Sequence, residues 1–269
     1  MKSRIEEVFK NLKKRQEAAL IGYLTAGLPS PAEAPAAAEA LIQGGVDVLE
    51  LGVPFSDPIA DGPTIQASSN RALSLGVTPE TVFSIVSKVR SKHQIPIVLL
   101  TYYNPIYKMG VNRFMEACRN SGVNGLVVPD LPIEEADEYR RSAKKHNVDT
   151  IFLASPATSV DRLRKIVDAT SGFLYLVSLY GVTGARSEMN VSSLDLVKRF
   201  KPYTEGKVNL AVGFGISKPE HVKSVIAAGA DGAIVGSAFV KLLNEDIPVD
   251  KMLKQLQYLA TSLKTATKP

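Results

Sequence analysis

The stretch Val46-Asp-Val-Leu-Glu-Leu-Gly-Val-Pro-Phe-Ser-Asp-Pro-Ile-Ala-Asp-Gly-Pro-Thr-Ile-Gln66 decides how this chain is read. It begins as a buried strand, Val46–Leu51, in which Glu50 is set among Val46, Val48, Leu49 and Leu51. It continues as a loop punctuated by Gly52, Pro54, Pro58, Gly62 and Pro63. A carboxylate in an apolar strand costs several kcal/mol unless something compensates, and acids held in such places most often serve chemistry. A second carboxylate, Asp61, follows late in the loop.

Outward from this strand, short apolar runs alternate with helical patterns. The expected strands are Ala19–Leu24, Val46–Leu51, Ile95–Tyr102, Gly125–Val128, Asp149–Ala154, Phe173–Ser178, Val208–Val212 and Gly232–Val235. Their continuous apolar character fits parallel strands covered on both sides. Helices are expected at Pro31–Gln43, Pro79–Lys92, Val111–Ser121, Ile133–His146, Ser159–Ala169, Ser193–Phe200, Lys218–Ala228 and Pro248–Leu263. An extra helix, Ile5–Leu12, precedes the first strand. Eight β-then-α units predict an α/β fold of the closed (β/α)8 TIM-barrel type, one domain over residues 1–269. An open doubly wound sheet is the alternative, but Thr25-Ala-Gly-Leu-Pro29 after the first strand lacks its glycine fingerprint.

Composition is that of an ordinary globular protein, with 45% hydrophobic and 22% charged residues and a net charge of +5. No basic run interleaves with aromatics, so nucleic acid is not an expected partner. One cysteine, Cys118, excludes an intrachain disulfide framework. No apolar run reaches the roughly 18 residues of a membrane span, and the N-terminus is not a secretory signal. The expected location is the cytoplasm, or a plastid stroma for a mature plant form.

In a barrel the active site lies at the C-terminal ends of the strands. Thr25, Glu50, Asp61, Tyr102, Asn104, Asp130, Tyr175 and Thr183 fall there. His93, His146 and His221 fall in or beside helices and are expected at the surface. No metal site is expected, because His and Cys ligands are missing from the mouth. No lysine sits in a strand to form a Schiff base, and no Ser-His-Asp set is placed to cooperate. Acid–base catalysis by carboxylates remains. The last two strands run into Val212-Gly-Phe-Gly-Ile-Ser217 and Ile234-Val-Gly-Ser-Ala238. Glycines there and a short helix over Ala238–Leu243 predict a phosphate site built from backbone N–H groups. Gly181-Val-Thr-Gly-Ala-Arg186 is a further donor loop, with glycines suited to a lid.

Leu49-Glu-Leu-Gly-Val-Pro-Phe-Ser-Asp-Pro-Ile-Ala-Asp-Gly-Pro-Thr-Ile-Gln66 closely resembles the signature of the tryptophan synthase α-subunit family. Gly181-Val-Thr-Gly184, Gly213-Phe-Gly-Ile-Ser217 and Gly236-Ser237 resemble its other landmarks, in order, and the likeness spans essentially the whole chain. The resemblance implies retro-aldol cleavage of indole-3-glycerol phosphate to indole and glyceraldehyde 3-phosphate. It implies Glu50 as proton shuttle, Asp61 as partner of the indole N–H, Tyr175 beside the glutamate, and Thr183 as the loop residue ordering Asp61. Tyr23, Leu100, Tyr102, Val127, Pro129 and Leu153 would wall the indole pocket, and Gly184, Gly213, Gly215, Gly236 and Ser237 would hold the phosphate. The implied partner is a β subunit carrying pyridoxal phosphate, in an α2β2 assembly, with no cofactor in this chain. Pro54, Asp57, Pro58, Asn104 and Asp130 match positions facing that partner. Departures from the pattern at Leu28, Phe173 and Ser178-Leu-Tyr-Gly181 touch none of the catalytic groups. Two other readings stay open: a free-standing indole-releasing lyase, and a weakly catalytic barrel that mainly activates β.

Overall fold

The computed structural model describes residues 3–177, 191–213 and 215–268. In chain order the elements are α1 (Arg4–Lys14), β1 (Ala19–Thr25), α2 (Ala34–Gln43), β2 (Val48–Gly52), α3 (Pro63–Ser74), α4 (Pro79–Arg90), β3 (Ile97–Leu100), α5 (Tyr103–Met109) and α6 (Val111–Ser121). They continue with β4 (Gly125–Val127), a 3-10 turn (Ile133–Glu135), α7 (Asp137–His146), β5 (Asp149–Ile151), β6 (Leu153–Ala154), α8 (Val160–Ala169), β7 (Phe173–Leu176) and α9 (Val191–Thr204). The last are β8 (Asn209–Val212), α10 (Pro219–Ala227), β9 (Gly232–Val235), α11 (Ser237–Leu243) and α12 (Val249–Thr265).

All strand pairs are parallel, and the order is β5-β4-β3-β2-β1-β9-β8-β7-β6. The two sheet ends, β5 and β6, are halves of one segment parted at Phe152, so the sheet meets itself as a barrel. The expected strand Asp149–Ala154 is thus broken into two.

Alternation along each strand sorts side chains into two cores. Leu20, Leu24, Leu49, Leu51, Leu99 and Leu126 point outward into the layer beneath the helices. Ala19, Ile21, Val48, Val98, Val127, Ile151, Phe173, Ala211 and Ile234 fill the barrel. Helix α1 stoppers the foot of that inner core with Ile5, Phe9 and Leu12. Phe9 meets the Phe173 ring at 5.9 Å, and Phe173 in turn lies 6.3 Å from the Tyr175 ring. Leu28 is buried in the outer core.

A reciprocal hydrogen-bond clasp recurs at the foot. Leu20 N donates to Asp47 Oδ2 at 2.8 Å, and Asp47 N donates to Leu20 O at 2.9 Å. Asn124 does the same for Ile97, Ser171 for Thr150 and Asp231 for Leu210. Each clasp ties one strand to the next: β1 to β2, β3 to β4, β5 to β7 and β8 to β9. Three of them also take a cation: Lys264 Nζ on Asp47 at 2.8 Å, Arg90 Nη2 on Asn124 at 2.7 Å and Lys201 Nζ on Asp231 at 2.7 Å.

Two helices were not expected from the sequence. Segment Pro63–Ser74, whose first four residues read as the end of a loop, is α3. Pro63 at its first position suits a helix start, because a missing N–H is no loss there. Segment Tyr103–Met109 is α5, whose first N–H, on Tyr103, donates to Asp130 Oδ1 at 2.9 Å and Oδ2 at 3.1 Å. That cap comes from a distant loop, so no local pattern announces it.

Candidate active site

At the mouth of the barrel Glu50 stands on β2 opposite Tyr23 of β1 and Val98 of β3. It is fully buried, and neither carboxylate oxygen has a hydrogen-bond partner among the described residues. Burial, and then the charge of Asp61, push its pKa up to about 8. At neutral pH Glu50 therefore holds its proton.

Asp61 is part-buried at the end of the loop after β2. Burial raises its pKa to about 6, while a hydrogen bond donated by the Tyr102 hydroxyl to Oδ2 at 3.1 Å pulls it down. The two carboxyls are thus held in different states near pH 7, Glu50 neutral and Asp61 charged. Such a split separates an acid from an electrostatic stabiliser.

Three tyrosines surround the pair. Tyr175 on β7 is buried, and a Cβ on Gly213 would come within 2.3 Å of its ring. Tyr23 lies over Gly52, where a Cβ would meet its hydroxyl at 2.0 Å. Glycine at these two strand ends is required by the tyrosines beside them. Tyr23 also packs along Gly236, with Ile65, Val240 and Leu100 about it. Tyr102 acts mainly through its hydroxyl, which accepts from Ala60 N at 2.9 Å and donates to Asp61, while its ring stacks on Phe55 at 5.1 Å.

Among the remaining wall positions, Leu100, Pro129 and Leu153 are half-buried at the mouth. Val127 is wholly buried in the inner core. It stands in register with Leu100 of β3. Ile65 of α3 and Val240 of α11 complete the apolar lining with Tyr23 and Leu100, and sequence reading missed both. Their helices lie outside the strands, and only the closed fold brings them over the mouth.

Gly213 follows β8 and Gly236 follows the neighbouring β9, so the two expected phosphate loops emerge side by side. Gly215 takes a left-handed φ of +64°, open to glycine without strain. Gly236 caps α11 and Ser237 opens it. Thr183 and Gly184 lie outside the described residues.

The loop over residues 53–61 exposes only part of the expected partner-facing set. Asp57 is exposed, whereas Pro54 and Pro58 are buried within the chain itself. These prolines shape the loop and leave the tip to Ser56, Asp57 and Ile59, with Ile59 81% exposed. Asn104 and Asp130 are exposed on the same rim, beside Tyr107.

The histidines also differ from expectation. His221 is buried, and its Nδ1 accepts from Ser217 N at 3.3 Å. Helix α10 has no side-chain cap at Lys218, and the imidazole supplies an acceptor at that turn. His93 and His146 are half-buried. Among the described residues no group of three His, Cys, Asp or Glu side chains is arranged to hold a metal ion. Among them, too, no helix is long and apolar enough to cross a membrane.

A family profile described as tryptophan synthase alpha chain matches residues 9–268. The chain belongs to the tryptophan synthase alpha chain family. The family's Arabidopsis thaliana member is 46% identical over 262 residues, covering 97% of this chain and 94% of its own. That of Methanoregula boonei is 46% identical over 267 residues, 99% of each chain. Among solved structures, Mycobacterium tuberculosis tryptophan synthase superposes with a TM-score of 0.90 at 36% identity, over all of both chains. The Pyrococcus furiosus tryptophan synthase α2β2 complex gives a TM-score of 0.86 at 45% identity, over 92% of this chain and 98% of the other. The TIM-barrel reading and the family resemblance therefore both hold.

Proposed function

We propose that this chain cleaves indole-3-glycerol phosphate to indole and glyceraldehyde 3-phosphate and passes the indole to a β subunit. The observation that carries this reading is the pair Glu50 and Asp61: one carboxyl buried without a partner among the described residues and protonated at neutral pH, the other charged and steered by Tyr102. A retro-aldol step needs an electron sink, and indole becomes one when protonated at C3. Glu50 donates that proton. Asp61 accepts the indole N–H and stabilises the cation that forms. Glu50, now ionised, takes the proton from the glycerol hydroxyl as the C–C bond breaks. A carbonyl forms on the departing triose, the bonding pair returns to the ring, and the glutamic acid is regenerated. A general acid–base group of this kind contributes typically 10²–10⁴-fold.

Tyr175 packs beside Glu50, and Tyr23, Leu100, Pro129 and Leu153 with Ile65 and Val240 hold the indole plane. The backbone at Gly184, Gly213, Gly215, Gly236 and Ser237 receives the phosphate, and Thr183 orders Asp61 when the substrate is bound. The chain needs no cofactor for this chemistry, and the pyridoxal phosphate of the joint reaction belongs to the β subunit. The exposed Asp57, Ile59, Asn104 and Asp130 form the face offered to β in an α2β2 assembly, in the cytoplasm. The test is indole release from indole-3-glycerol phosphate by the chain alone and with a β subunit. Release that rises strongly with β is expected; no release in either case would overturn the reading, and full activity alone would favour a free-standing lyase.

A further inference from the structure

We infer that Gln66 is the positioning residue that sets where Asp61 stands, an inference that rests on the proposed role of Asp61. Among the described residues the Asp61 carboxylate has one side-chain partner, Tyr102. Its backbone lies in a turn closed by Asp61 N donating to Pro58 O at 3.0 Å. Gln66 Nε2 donates to Asp61 O at 2.9 Å and to Pro58 O at 3.4 Å, so one amide spans both ends of that turn. Both of its hydrogens are used, and no other neutral side chain of this length offers two.

Gln66 can act as a fixed reference because α3 is itself fixed. Ser68 meets Thr25 of β1 at 2.6 Å. Ser69 Oγ accepts from Phe55 N at 2.9 Å and donates to Phe55 O at 3.1 Å. The loop is therefore anchored at Phe55 and again at Pro58 and Asp61, with an exposed tip between. Glu50 is placed by β2, whereas Asp61 is placed by α3 through Gln66. Their separation depends on that side chain reaching back across the helix start, with the Tyr102 hydroxyl holding the carboxylate itself.

The test uses Gln66→Met, of similar length but without donors, in the full chain with indole-3-glycerol phosphate as substrate. Misplacing a group by about 1 Å can cost on the order of 10²-fold. The expected result is a kcat lower by roughly tenfold to a hundredfold, with KM little changed and thermal melting nearly that of the wild type. Should Gln66→Met melt well below the wild type, Gln66→Asn, one methylene shorter, gives the same readout. The decisive comparison is in an Asp61→Ala background, where there is no carboxylate to position and Gln66→Met is expected to cause no further loss. The same fractional loss in that background would overturn the inference and leave the role of Asp61 intact. Wild-type kcat in Gln66→Met would overturn it as well. Wild-type activity in Asp61→Ala alone would instead remove the reading on which it rests.

Discussion

At the foot of the barrel Asp47 accepts the Leu20 N–H and the Lys264 ammonium, and Asp231 accepts the Leu210 N–H and the Lys201 ammonium. At the mouth Glu50 accepts nothing from the described residues. All three are acids bordering the same eight-membered ring of parallel strand positions, yet they do opposite things. At the foot Asp47 and Asp231 are satisfied and clasp strands together, although Asp149 Oδ2, also at the foot, has no partner among the described residues. The mouth leaves its carboxyl without a partner among the described residues, which costs stability and keeps a proton available. A buried polar group without a partner is where a fold carries a cost for chemistry.

The sharpest way to break this comparison is Glu50→Gln. Indole release should fall by on the order of 10³-fold or more, while phosphate-ester binding persists, as equilibrium dialysis with glyceraldehyde 3-phosphate would report. Turnover at the wild-type rate would place the chemistry elsewhere.

The same variant tests the cost at the mouth. Glu50 is raised from 4.5 to about 8 in the fold, so between these values the folded chain keeps a proton that the unfolded chain has lost. Native stability from this group is then full below pH 4.5 and declines as pH climbs toward 8. Asp61, raised from 3.8 to about 6, acts in the same direction over a lower window. Urea unfolding of Glu50→Gln should show a shallower decline from pH 5 to pH 8, with the variant more stable than wild type at pH 8 by a few kcal/mol, on the order of the linkage for such a shift.

At the foot the sign reverses. Asp47→Ala leaves the part-buried Lys264 ammonium, 14% exposed, without its closer carboxylate, and frees the Leu20 N–H. A loss of about 3 kcal/mol is expected by urea unfolding, with kcat unchanged. Burial already lifts the Asp47 pKa against the pull of Lys264 and the Leu20 amide, so the pair contributes through completeness more than through charge. The smallest effect concerns the one clasp that pairs a cation with a neutral group. Arg90 directs its donors at the carbonyls of His93, Ile95 and Gly122 and at Asn124 Oδ1, with no carboxylate among them. Asn124→Asp would give it one and keep the acceptor for Ile97 N. A gain of roughly 1 kcal/mol in unfolding free energy is expected, the difference between a neutral and a charge-assisted bond.

Much of the architecture is legible in the chain because strand and helix periodicity are local. The strands of β1, β2, β7 and β9 are readable from apolar runs, and Glu50 stands out because an acid interrupts one of them. Helices α3 and α5 are not legible, since the Pro- and Gly-rich stretch before one and the Tyr-Asn-Pro opening of the other read as loop. Pro54 and Pro58 read as surface punctuation but are buried, because the loop folds back onto α3 through Ser69 and Gln66. Tyr102 reads as a wall aromatic, and its hydroxyl turns out to hold Asp61.

The sequence by itself determined the alternation that closes a parallel barrel, the acid in its second strand, and a family signature specific enough to name the chemistry. Only the tertiary structure decided that Glu50 has no partner among the described residues, that Tyr102 and Gln66 both hydrogen-bond to Asp61, and that Ile65 and Val240 pack with Tyr23 and Leu100. The physical reason is range. Propensity and periodicity act over a few residues, whereas a hydrogen bond such as Tyr102 to Asp61 joins positions 41 apart in the chain and exists only once the barrel has brought them together.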